Sequence, residues 1–160
     1  MQRITSQSSH PLFDTAATRR IEQAAMASLP PHTLMQRAGL AVARLALALA
    51  PHARNVWIAC GPGNNGGDGL EAATQLHLRG KTVVVTWLGT EASAPADSLA
   101  ALARARAAGV PFAETPPTGL PAQDLCIDAL LGIGSSRAPA GTMAAWISTM
   151  NASSAPTLAI

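Results

Sequence analysis

The chain opens with two segments of helical period and then changes to alternating short apolar runs and helices. Asp14 is placed to cap a first helix reaching to about residue 28, with Ala17, Ile21, Ala24 and Ala25 on one face. Leu29-Pro30-Pro31-His32 breaks it. A second helix is predicted from Thr33 to Leu49, with Leu34, Ala38, Ala41, Val42 and Leu45 as its apolar stripe and Pro51 as its stop. From there the pattern reads as strand 56–60, helix 68–79 ended by Gly80, and strand 82–88. A helix over 96–108 ended by Gly109, a short strand over 110–113 and a loop over 116–121 follow. Strand 125–128, a glycine-rich loop, a helix over 141–151 and the start of a strand over 156–160 complete the chain. Strands alternating with helices predict an α/β fold, a Rossmann-like three-layer αβα sandwich with a mostly parallel sheet, preceded by two N-terminal helices.

Composition narrows this little further. The chain has 160 residues, 48% of them hydrophobic and 3% aromatic, enough for one domain with an alanine-rich core. A net charge of +2, carried on scattered arginines and the lone Lys81, argues against a nucleic-acid surface. Cys60 and Cys126 form no CxxC and read as reduced thiols in buried strands. No run reaches the roughly 18–20 apolar residues of a membrane span. Residues 1–11 read as a mobile lead-in, and residues 1–10 lack a secretory apolar core. A cytoplasmic protein is the expectation. His10, His32, His52 and His77 show no ligand spacing and read as structural or solvated.

Two segments carry the chemistry, both expected at carboxyl ends of strands, where a doubly wound sheet binds ligands. The first, residues 61–69, holds five glycines: Gly61, Gly63, Gly66, Gly67 and Gly69. Glycine permits positive φ and lets a ligand approach the backbone, and a helix N-terminus beyond it favours an anion, so a phosphate is expected here. Gly61, Gly63 and Gly66 match the dinucleotide fingerprint, and Glu91, after the next strand, stands where a ribose-binding acid sits. That leaves a nicotinamide-dependent oxidoreductase open. Against it, two helices precede the fingerprint strand, and Asp68 opens the next helix, where its charge repels a pyrophosphate. The second segment runs from Asp128 through Gly132, Gly134, Ser135 and Ser136. A carboxylate ending an apolar strand is costly to bury without a partner, which marks Asp128 as functional.

Asn64-Asn65-Gly66-Gly67-Asp68-Gly69, with the strand before it and Asp128-Ala129-Leu130-Leu131-Gly132-Ile133-Gly134 after it, resembles the NAD(P)H-hydrate epimerase family, also called the YjeF N-terminal domain family. Leu34-Met35-Gln36-Arg37-Ala38-Gly39 is similar to that family's Leu-Met-Glu-x-Ala-Gly segment, with Gln36 in place of glutamate. Ala155-Pro156-Thr157-Leu158-Ala159-Ile160 is similar to the strand leading into its Asp-x-Pro-Ser-Gly motif, which this chain does not reach. The expectation is therefore one epimerase domain over 1–160, incomplete at its C-terminus.

The resemblance implies epimerisation of the R and S forms of hydrated NADH and NADPH, NAD(P)HX, in cofactor repair. Hydrate is the substrate rather than a cofactor. Such a reaction needs a group that protonates the leaving oxygen and deprotonates the entering one, and Asp128 is the residue expected to do so. The resemblance implies substrate contacts at Asn64, Asn65, Gly66, Gly67 and Asp68, and at Gly132, Ile133, Gly134, Ser135, Ser136, Arg137 and Ala138. It implies one potassium ion per subunit on Asn65 and Asp128, a homodimer, and a fused or separate NAD(P)HX dehydratase as partner. A catalytically inactive nucleotide-binding fragment of a bifunctional epimerase/dehydratase is the other reading it leaves open.

Overall fold

A computed structural model describes residues 9–160. The predicted lead-in, as far as residue 8, lies outside the described residues. The chain divides into two units, Met1–Pro31 and His32–Ile160. In the first, α1 (Thr15–Met26) starts where Asp14 accepts a hydrogen bond from the Ala17 N–H at 2.7 Å, the predicted cap. The helix buries none of its residues, and Ile21, expected on its apolar face, is 53% exposed.

The second unit holds α2 (Thr33–Leu49), β1 (Asn55–Cys60), α3 (Asn64–His77), β2 (Thr82–Trp87) and α4 (Ala96–Ala107). After these come β3 (Phe112–Ala113), β4 (Leu125–Ala129), α5 (Gly141–Ala152) and β5 (Thr157–Ala159). The five strands form one sheet in the order β3-β2-β1-β4-β5, every pairing parallel. β1 is central: Ile58 pairs with Val85 on one side and with Ile127 on the other. Parallel central strands are covered on both faces and so read as continuous apolar runs. Alternation along β1 assigns the two faces. Val56, Ile58 and Cys60 pack with Leu70, Ala73 and Leu102 of α3 and α4, and with Ala43 and Ala46 of α2. Trp57 and Ala59 pack with Trp146 and Met150 of α5. The sandwich has the three layers expected.

Trp57 is fully buried, and its indole N–H donates to Thr86 Oγ1 at 3.0 Å, so the one polar atom of the ring is satisfied inside the core. Asp124, also buried, accepts from the Asn55 backbone N–H at 3.2 Å and from Asn55 Nδ2 at 2.9 Å, joining the starts of β1 and β4.

Beyond shifts of one or two residues at other ends, two element boundaries and one helix face differ from the sequence reading. α3 begins at Asn64 rather than 68, so most of the presumed loop is helical. β3 keeps only Phe112–Ala113 of the predicted 110–113. The buried stripe of α2 is Met35, Gly39, Ala43 and Ala46, one residue out of phase with the expected one. Leu45 is 48% exposed. The period is right and the phase is set by α3: a Cβ on Gly39 would lie 2.1 Å from Glu71 Cβ and 2.9 Å from the Ala72 nitrogen. Backbones this close admit only small residues at the crossing, which turns the leucines to the flanks.

Two polar side-chain contacts, one of them an ion pair, tie the helical layer together. Arg104 Nε on α4 donates to the buried Glu71 Oε1 of α3 at 2.6 Å. His32, in the left-handed region at φ 65° ahead of α2, places Nδ1 2.5 Å from Asp97 Oδ1 at the start of α4. His32 is thus structural, as expected.

Cys60 and Cys126 are free and buried. Burial pushes the Cys60 thiol far above its ordinary range. Burial also raises Cys126, and Asp124 adds to that, while hydrogen bonds to Ser153 and Thr157 act in the opposite sense.

Two outcomes follow from this packing. Gly39→Ala forces a methyl group into the α2–α3 crossing and lowers unfolding free energy by about 2 kcal/mol, measured by urea denaturation. A wild-type midpoint would show that the two helices can separate freely. The raised thiols make the folded state hold protons that the unfolded state releases. Their stabilisation is therefore complete below the ordinary thiol value of 9.0 and declines as pH rises above it. For Cys60, whose value is far raised, the slope approaches about 1.4 kcal/mol per pH unit. With no tyrosine and one lysine in the chain, the alkaline limb is nearly free of other titrations. The Cys60→Ala/Cys126→Ala variant is expected to show a flatter stability profile above pH 9.0, whatever its absolute stability.

Candidate functional site

Strand order reverses between β1 and β4: β2 and β3 lie to one side of β1, and β4 and β5 to the other. A crevice opens at the carboxyl ends of the strands at such a switch point. The segments after β1 and after β4 are the two singled out in the sequence, and the fold brings them together there. The Gly61 N–H donates to the Ala129 carbonyl at 2.9 Å. A Cβ on Gly61 would lie 1.9 Å from the Leu130 carbonyl oxygen. One turn on, a Cβ on Gly132 would stand 3.2 Å from Asn65 Cβ and 3.6 Å from Asn65 Oδ1.

The glycines of residues 61–69 act through their missing side chains rather than through positive φ, which among the described glycines is confined to Gly80, Gly109, Gly119 and Gly141. A Cβ on Gly66 would meet the Gly61 carbonyl at 2.0 Å. On Gly67 it would meet Met35 of α2 at 2.7 Å and the Ser98 backbone of α4 at 3.1 Å. On Gly69 it would meet Ala129 Cβ at 2.6 Å and Cys60 Sγ at 2.9 Å. Only Gly63 has nothing within 4 Å, so the approach to the helix end is open there. Gly63 is the N-cap of α3, no side chain caps the helix, and its first turn holds no acidic residue. The amides of Asn64, Asn65 and Gly66 lack intrahelical acceptors, and the positive end of the dipole is not offset, which suits an anion. Asp68 lies in the second turn, half-buried, rather than at the helix start as the sequence suggested, so the repulsion it was expected to exert on a pyrophosphate is displaced from the helix end.

Asn64 is exposed and Asn65 half-buried, its Nδ2 enclosed without a hydrogen-bond partner. Asp128 ends β4 half-buried, paired in register with Ala59 on β1 and Ala159 on β5. Asp128 Oδ1 accepts the Leu130 N–H at 3.0 Å, which turns the chain off the sheet, and Oδ2 accepts no bond from the described residues. The side chain is thereby fixed through one oxygen.

Beyond Leu130 the second segment is exposed throughout residues 131–140. The Ser135 N–H donates to the Gly132 carbonyl at 3.0 Å, and Ser135 Oγ bonds only within the loop, to the Arg137 carbonyl at 3.5 Å. Gly132 touches the first segment. Gly134, Ser136, Arg137 and Ala138 are exposed, and Ile133 is 67% exposed. Glu91, the acid of the oxidoreductase reading, has its carboxylate held by Arg106 Nη1 at 2.6 Å on the surface. Sequence reasoning passed over the Leu130 N–H, which orients Asp128, and missed what Gly61 does there: its absent Cβ admits the Leu130 carbonyl. The fingerprint glycine was the signal for the second.

The oxygen-donor set expected for a hard cation is present in part. Asn65 and Asp128 offer side-chain oxygens, and no cluster of three or more His, Cys, Asp or Glu exists among the described residues. These two residues fit a weakly held monovalent ion completed by carbonyls, water or ligand rather than a transition-metal site. No helix among the described residues is long and apolar enough to cross a membrane.

A family profile described as YjeF-related protein N-terminus matches residues 31–160. An NAD(P)H-hydrate epimerase of Limosilactobacillus fermentum is 37% identical over 132 residues, covering 82% of this chain and 63% of that protein. A bifunctional NAD(P)H-hydrate repair enzyme Nnr of Pyrobaculum aerophilum is 38% identical over 143 residues, covering 82% of this chain and 28% of that protein. The chain thus spans less than two thirds of the length of these curated relatives. The crystal structure of yeast ynu0, YNL200c, shares the fold, with a TM-score of 0.79 at 19% identity over 94% of this chain and 70% of its own. A profile match across the whole of the second unit, on a fold that joins the two segments at the switch point, means that the chain belongs to the YjeF-related protein N-terminus family.

Proposed function

We propose that the protein interconverts the R and S forms of hydrated NADH and NADPH. The observation that carries this reading is the junction of Asn65 and Gly132 beside Asp128 at the β1–β4 crevice, in a chain whose relatives are named NAD(P)H-hydrate epimerases. The hydrate bears a hydroxyl on C6, which is bonded to the ring nitrogen. The nitrogen lone pair forms a C6–N double bond as the C6–O bond breaks, and the departing oxygen takes a proton and leaves as water. Water then adds to the opposite face of C6 and gives up a proton. One group must deliver the first proton and collect the second. Asp128 is assigned that role: Oδ1 is anchored by the Leu130 N–H and Oδ2 is available. The uncapped N-terminus of α3 receives a phosphate oxygen of the dinucleotide, with Asn64 and Asn65 beside it and Gly66 and Gly67 letting the backbone in. The exposed loop from Gly132 to Ala138 supplies further amides and the Ser135 and Ser136 hydroxyls.

The same reading places a potassium ion on Asn65 and Asp128, where it would add positive charge next to the reacting ring. It also includes a homodimer and a dehydratase, fused or separate, that consumes one epimer; the name of the bifunctional relative supports the latter.

Asp128→Asn keeps the Leu130 hydrogen bond available but removes the titrating oxygen. Epimerisation of purified R-NADHX, followed by chromatography that separates the epimers, is expected to fall by roughly a hundredfold or more with the fold intact. Near-normal turnover in a folded variant would remove Asp128 from the chemistry, and no conversion by the wild-type protein would favour the inactive binding module. Replacing potassium by choline at constant ionic strength is expected to slow the wild-type protein, and Asn65→Ala is expected to abolish that potassium dependence. An unchanged potassium response in Asn65→Ala would place the ion elsewhere.

A further inference from the structure

The opposite edge of the sheet carries a feature that epimerisation does not use. The segments leading into β1 and β2 enclose a cleft of about 390 Å³ lined by His52, Arg54, Arg79, Gly80, Lys81 and Thr82, among others. Three of the eleven Lys and Arg residues line it and none of the nine acids does, so the modest positive charge of the chain is concentrated at this spot. The cleft precedes the strands and Asp128 ends one. Six-residue strands rising ~3.3 Å per residue set the two edges about 20 Å apart.

Part of this charge has a structural use. Lys81 Nζ donates to the Pro51 carbonyl at 2.9 Å and the Ala53 carbonyl at 2.6 Å. Arg79 Nη1 donates to the Gln75 carbonyl at 2.7 Å and to Gln75 Oε1 at 2.6 Å, next to the C-terminal end of α3. These acceptors are neutral. They hold the cations in place without cancelling their charge, which pre-organises the cleft. Arg54 and His52 are exposed, and their side chains make no hydrogen bond or ion pair with the described residues, while the Arg54 carbonyl accepts the Thr82 N–H at 2.9 Å. A Cβ added to Gly80, at φ +79°, would have nothing within 4 Å, so one wall is bare backbone. Arginine presents a planar fork of donors that matches phosphate oxygens two at a time, and lysine adds a point charge.

We propose that this cleft is a second anion site, distinct from the epimerase crevice, that takes a phosphate-bearing small molecule of nucleotide size. The volume accommodates such a ligand, and the donors around it are cationic or hydroxylic, Thr82 included.

The test is an amide NMR titration of the isotope-labelled protein, with inorganic tripolyphosphate in one arm and ADP in the other. Saturable shifts are expected at Arg54, Gly80, Lys81 and Thr82, absent when sodium chloride is added to the same ionic strength. Saturation by tripolyphosphate alone supports a polyphosphate ligand, and saturation by ADP supports a nucleotide. Arg54→Ala/Arg79→Ala is expected to weaken binding by at least about tenfold with the rest of the spectrum unchanged. Both side chains are exposed, so the variant is expected to fold. Shifts confined to residues 61–69 and 130–138, shifts reproduced by chloride, or affinity unchanged in the double variant would each overturn the site.

Discussion

The fold depends on how closely the first two turns of α3 are enclosed. At Gly66 they meet the Gly61 carbonyl, at Gly67 Met35 of α2 and Ser98 of α4, and at Gly69 Ala129 and Cys60 of the sheet. At Gly66, Gly67 and Gly69 a Cβ would come within 2.0–2.7 Å of one of these neighbours. A helix start of Asn-Asn-Gly-Gly-Asp-Gly is poor by intrinsic propensity, each interior glycine costing about 1 kcal/mol relative to alanine. Tertiary packing overrides that cost. The same substitution-intolerant contact seats the helix N-terminus over the β1–β4 crevice, so what is demanded for packing also aims the free amides.

This explains where the sequence was legible and where it was not. The strand–glycine–helix order, the Asp14 cap, the parallel sheet and the two buried thiols could all be read from pattern, because each rests on local chemistry or on burial with period 2. The start of α3 could not. A glycine-rich run looks like a loop when propensity is the guide, and only the neighbours on α2, α4 and β4 show that the glycines make room for atoms. The phase of α2 failed for the same reason: choosing the larger side chains for the buried stripe assumes an ordinary interhelical distance, and Gly39 against Glu71 is closer than that. At the site, Asp128 and Asn65 were visible as residue types in unusual places. That Asp128 is oriented by the Leu130 amide depends on the turn after β4 and leaves no mark in composition.

Electrostatics gives the two edges of the sheet different characters with α3 as their common element. Its N-terminus, at the carboxyl edge, has no capping side chain and no acid in its first turn, so the positive end of the dipole stays uncompensated. Its C-terminus, at the amino edge, is followed at once by Arg79 and Lys81, which more than offset the negative end. An α-helix ordinarily attracts anions at one end and cations at the other. Here both ends present a field favourable to negative charge, one from backbone and one from side chains. The physical consequence is selectivity by geometry rather than by net charge: at +2 the chain has no broad field to gather nucleic acid, but it has two small, separated places whose oriented donors favour an anion. The backbone site at the carboxyl edge is shaped by glycines at which a side chain would collide with the neighbouring backbone and sheet. The side-chain site at the amino edge rests on exposed arginines that can be exchanged without disturbing the core. The two can therefore vary independently, with changes at the amino edge leaving the geometry around Asp128 intact.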